Sequence, residues 1–86
     1  MDSSERLGAS FLFTDLDLAN TFLDIAESNR GAEVRKRNIA NAWRAHDAVA
    51  ELASHVGLTD SELSAILGRL HALRRRLAEL ENQYPT

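Results

Sequence analysis

Residues 56–84 read VGLTDSELSAILGRLHALRRRLAELENQY, and in them Leu63, Ile66, Leu70, Leu73, Leu77, Leu80 and Tyr84 follow one another at alternating steps of three and four. That alternation holds one apolar seam on one side of a helix; a strand would need a step of two. Just upstream, Thr59-Asp60-Ser61-Glu62 has the spacing of a capping box, with Leu58 and Leu63 placed as a hydrophobic staple. A helix is therefore expected over residues 60–83, with Pro85 closing it. Gly57 suits the left-handed residue that ends a preceding helix, and Leu58 the apolar contact that goes with it. So short a connection forces the two flanking helices to lie antiparallel.

Working back toward the amino terminus, a second helix is expected from about residue 32 to 56. Its stripe is Ile39, Ala42, Trp43, His46, Val49, Ala50, Ala53 and Val56. The many alanines favour both helicity and close approach, and Trp43 is the bulky member, whose indole N–H needs a polar partner at the edge of the core. A first helix is expected over residues 15–28. Thr14 would be its N-cap with Asp17 reaching back, and Phe13 and Leu18 its staple. Its stripe is read as Leu18, Ala19, Phe22, Ile25 and Ala26, and the polar run from Glu27 to Arg30 ends it, with Gly31 in the left-handed position. Residues 1–13 read as an arm whose Phe11-Leu12-Phe13 docks on the helices or on a partner. The fold class is all-α: an antiparallel, up-down-up three-helix bundle over residues 14–86 with a long hairpin.

With 86 residues, 44% of them hydrophobic and 27% charged, the chain has the composition of one folded domain. A domain of this size buries a limited share of its surface, which raises the value of association. The net charge of −3 gives no whole-molecule attraction to nucleic acid or to an anionic membrane. Absence of cysteine excludes disulfides, thiol catalysis and Cys-ligated zinc, and fits a cytoplasmic protein. No export signal and no membrane-spanning run is read in the sequence.

The chemistry-bearing residues are few. His46 lies on the apolar stripe and reads as a hydrogen-bonded core residue. Asp47, Glu51 and His55 share one face at steps of four, without the paired-histidine spacing of a zinc helix, and read as a solvated face. There is no phosphate loop, nucleophile elbow or carboxylate pair, so no enzyme, metal or cofactor is expected. Arg35, Lys36 and Arg37 open the second helix and Arg74, Arg75 and Arg76 lie late in the third, which antiparallel packing brings to one end. A basic patch for nucleic acid is the alternative functional reading, although no aromatic residues are interleaved for stacking.

The motif Leu18-Ala19-x-x-Phe22, followed by Asn41-Ala42-x-x-x-His46-x-x-Val49, resembles the helix pair of a tetratricopeptide-type hairpin over about half the chain. His46 stands where an aromatic is usual and Val49 where alanine is usual. The runs Leu16-Asp17-Leu18-Ala19 and Arg37-Asn38-Ile39-Ala40-Asn41-Ala42 are also similar to those of small all-helical bacterial proteins. The resemblance implies a bacterial, cytoplasmic, protein-binding role and no activity.

Helix lengths carry the principal functional expectation. A helix over residues 15–28 spans roughly 21 Å and one over residues 60–83 roughly 36 Å, so the first covers the hairpin only to about His46. Val49, Leu52, Val56, Leu63, Ile66 and Leu67 are then left as an apolar patch at the turn end, which a second copy would cover in a two-fold dimer. The rival cover is the amino-terminal arm. A protein–protein interaction or self-association module is thus the leading reading.

Overall fold

Thr59 caps the third helix as its sequence demands. Its hydroxyl oxygen accepts from the Glu62 amide at 3.1 Å, and its own amide donates to the Glu62 carboxylate at 2.9 Å. The structure, a computed structural model, describes residues 3–28 and 31–84, with side chains from Gly8 onward. They form α1 (Ser3–Ser28), α2 (Ala32–Leu52) and α3 (Asp60–Gln83), an up-down-up bundle 47 × 18 × 17 Å. Asn29, Arg30 and Pro85, to which the sequence reading gave helix-ending roles, lie outside the described residues.

The core is a set of interlocking heptad seams. On α3 it is Ile66, Leu70, Leu73, Leu77 and Leu80, the middle of the expected ladder, whose end members Leu63 and Tyr84 are exposed; on α2 it is Ile39, Ala42 and Val49; on α1 it is Ala9, Leu12, Leu16, Ala19, Leu23 and Ala26. Among the described residues no polar side chain is buried and no buried polar atom lacks a partner. The seams differ in side-chain size, and size sets helix separation. Ala19, Ala26 and Ala42 have no exposed surface, and α1 packs far more extensively on α2 than either helix does on the leucine-rich α3.

The largest departure from the sequence reading is α1. No arm is seen over the described residues before Asp15: the helix already begins at Ser3 and passes through Thr14, which is an exposed interior residue and no cap. The reason is the inner seam, whose steps of three, four, three, four and three run unbroken from Ala9 to Ala26. At 26 residues α1 reaches about 39 Å and spans the whole hairpin. A Cβ added to Gly8 would sit 3.4 Å from Val56, so the start of α1 lies directly over the α2–α3 connection. The seam is also rotated from the stripe read in the sequence: Leu16 and Leu23 point inward, whereas Leu18 and Ile25 point outward.

Two turns differ as well. α2 ends at Leu52, four residues early, and Ser54 and His55 explain it. The Ser54 amide at 3.2 Å, the Ser54 hydroxyl at 2.7 Å and the His55 ring Nδ1 at 2.9 Å all converge on the Glu51 carbonyl oxygen, so the last turns tighten and the helix stops. No described glycine has positive φ: Gly31 is the extended N-cap of α2 at φ −77°, and Gly57 needs no left-handed conformation.

Candidate interaction surfaces

The flank between α1 and α3 is ionic. Arg69 donates to Asp17 at 2.7 Å and its guanidinium lies 6.0 Å from the Phe13 ring centroid. One heptad on, Arg76 donates to Asp24 at 2.6 Å, to Glu27 through Nε at 2.9 Å, and to the Asn20 side-chain oxygen at 3.0 Å. Burial works against the Arg76 charge, but the hydrogen bonds and charges of Asp24 and Glu27 outweigh it and raise its hold on the proton above the ordinary value. This arginine is a structural clamp between two helices.

The flank between α2 and α3 is looser. It holds an open groove of about 450 Å³ with Ile39 as its floor, Trp43 and Tyr84 as aromatic walls and Arg35, Lys36 and Glu81 at its edges. The Trp43 indole N–H donates to Glu81 at 3.2 Å, the edge partner its position requires, and the Arg35 guanidinium lies 3.9 Å from the Tyr84 ring centroid. His46 is half-buried, 5.4 Å edge-on from Trp43, with Nδ1 2.9 Å from Asp47.

The six basic residues therefore do not act alike. Arg76 is turned to the carboxylates of α1 and Arg35 to Tyr84 on the α2–α3 side, while Lys36, Arg37, Arg74 and Arg75 are exposed. The expected turn-end interface divides too. Val49 and Ile66 are wholly buried in the chain's own core and Val56 lies half-buried under Gly8, so these three are no free patch; Leu52, Leu63 and Leu67 are exposed. The physical reason is the length of α1, which covers the end that a shorter helix would leave bare.

Leu18 and Ile25, which the sequence reading placed on the core stripe of α1, lie instead on its surface, in line with Phe11 of the expected arm. Phe11, Leu18 and Ile25 stand seven residues apart and are 57%, 46% and 40% exposed. The seven-residue spacing was readable, as were the steps from Ala9 through Leu12 and Leu16 to Ala19; what hid both was the cap-like pairing of Thr14 with Asp17, which set the expected helix start too late. No described helix is long and apolar enough to cross a membrane, and no three metal-binding side chains converge among the described residues. No protein-family model, curated protein or solved structure matches the chain.

Proposed function

We propose that the chain is a self-association module, a helical unit that adds to its own small core by pairing with another copy. One observation carries the reading. Among the described residues the core buries no polar side chain, and seven large hydrophobic side chains are left 37–57% exposed. Three are the heptad stripe of α1, while Leu63 and Leu67, one turn apart on α3, and Leu52, at the end of α2, are near the hairpin turn. Scattered exposed leucines are ordinary; large side chains in register along one helix are the pattern of a helix seam. For a chain this small, burial shared with a second copy adds stability that its own core cannot supply.

Sedimentation equilibrium of the full chain tests the reading. A concentration-dependent mass above that of the monomer, lowered by an aspartate at an exposed apolar position, is expected. A monomer at every accessible concentration overturns it.

A further inference from the structure

Self-association, proposed above and the premise here, needs a surface, and the outer flank of α3 offers one whose charges select its cover. Arg69 and Arg76 turn to the carboxylates of α1. Leu67 and Arg74 each stand two residues earlier, about 200° around the helix, and so face away from α1. Asp60, Leu63, Leu67, His71 and Arg74 follow one another on this flank at steps of three and four, and all five are exposed, Leu67 at 53%. Among the described residues no hydrogen bond or ion pair reaches the side chain of Asp60 or of Arg74, although Arg69 and Arg76 on the same helix are both paired.

We infer that this flank packs against the same flank of a second copy, antiparallel, about a two-fold axis at Leu67. Asp60 and Arg74 each lie seven positions from Leu67 and carry opposite charge. The axis therefore sets Leu67 on Leu67 of the second copy, Leu63 on its His71, and the Asp60 carboxylate on its Arg74 guanidinium, each unlike contact occurring twice. Within one chain Asp60 and Arg74 are roughly 21 Å apart along the helix and cannot meet.

Spacing alone would leave the orientation open, because any heptad stripe can be reversed; the signs of the charges close it. A parallel pair would set Asp60 against Asp60, His71 against His71 and Arg74 against Arg74, and opposed like charges disfavour it. Across the antiparallel overlap no like charges are opposed. Glu62 falls opposite Ala72 of the second copy, Arg69 opposite its Ala65, and Arg75 opposite its Thr59, next to Asp60.

Charge reversal tests the pairing by sedimentation equilibrium of the full chain, with helicity checked by circular dichroism. The Asp60→Arg chain presents two cations at these positions and the Arg74→Asp chain two carboxylates, so each repels its own kind while an equimolar mixture satisfies both contacts. Each variant alone is expected to dimerise at least about tenfold more weakly than the wild type, and the mixture to recover the wild-type dimer. Asp60 also complements the α3 dipole, which makes recovery on mixing the decisive reading. Single variants that dimerise like the wild type, or a mixture as weak as its parts, overturn the inference. A dimer that survives Leu67→Asp and dissociates with Leu18→Asp overturns this face and leaves the self-association reading standing. A monomer throughout overturns both.

Discussion

The α1–α2 and α2–α3 pairs are both antiparallel, yet they are built differently. The α2–α3 pair has the stronger local signals, a complete capping box and an unbroken leucine ladder, but it packs on a limited contact and leaves a groove of about 450 Å³ beside Trp43. The α1–α2 pair has no side-chain cap at Gly31 and was only partly legible, yet it has the closer contact. Caps decide where a helix starts. Side-chain size across the seam decides how near two helices come, and alanine facing alanine brings backbones closer than leucine facing tryptophan.

The contrast can be broken by substitution, read as shifts in urea midpoint at constant slope. The largest loss is expected from Leu77→Ala in the leucine seam, about 2–5 kcal/mol, because the wholly buried side chain leaves a cavity. Next is an opposed pair on α2. Ala42→Leu drives a bulky group into the close α1–α2 contact and should cost about 1–3 kcal/mol, whereas Ala40→Leu, lining the groove, should change stability by about 0.5 kcal/mol or less. Equal losses from the two would mean that the α2–α3 flank is as tight as the other.

The hairpin turn gives a smaller effect. Thr59→Ala removes one half of the reciprocal cap and should cost on the order of 1 kcal/mol. Gly57→Ala should leave stability close to wild type, since no positive φ is needed there; a loss as large as that of Thr59→Ala would contradict the turn geometry. The smallest effects carry the opposite sign. Gly8→Ala and Gly68→Ala each sit in helix with room for a methyl group, 3.4 Å from Val56 in the first case and in open space in the second. Each should stabilise by up to about 1 kcal/mol. No gain at Gly8 would mean that residues before Asp15 are not helical, and the outer seam of α1 would lose Phe11.

These expectations mirror what the sequence revealed. α3 was legible to the residue, since Thr59, Glu62 and the leucine ladder are local and mutually consistent. The start of α1 was not. Thr14 and Asp17 imitate a cap, and that local signal outweighed the steps of three and four from Ala9 through Leu12 to Leu16, which are buried and continue the helix toward its amino terminus. The same concealment governs the candidate site. Leu18 and Ile25 belong to a helical stripe whichever way α1 is turned, and the choice between core and surface depends on whether Leu16 and Leu23 find α2 and α3. Of the turn-end patch, Val49, Val56 and Ile66 were misjudged for that one reason, because an underestimated α1 leaves them bare on paper, while Leu52, Leu63 and Leu67 are exposed as expected. The end of α2 depended on Ser54 and His55 competing for a single carbonyl, which periodicity does not register.

The two arginine clamps bear on which alignment of the helices is populated. Seams that repeat every seven residues are nearly degenerate to sliding, since a shift by one heptad presents a similar set of apolar side chains to the neighbour. Arg69 and Arg76 are seven residues apart on α3, and their partners Asp17 and Asp24 are seven apart on α1. Sliding α1 one heptad in one direction would bring Asp24 to Arg69 and Gly31 to Arg76; sliding it in the other would bring Asp17 to Arg76 and Ser10 to Arg69. Either slip keeps one carboxylate contact and forfeits the other, along with Asn20 or Glu27 at its observed place. Partly exposed ion pairs add little to the depth of the native basin, about 0–1 kcal/mol each. Their effect here is on the gap to mis-registered neighbours, where the native alignment alone fills both rungs at once.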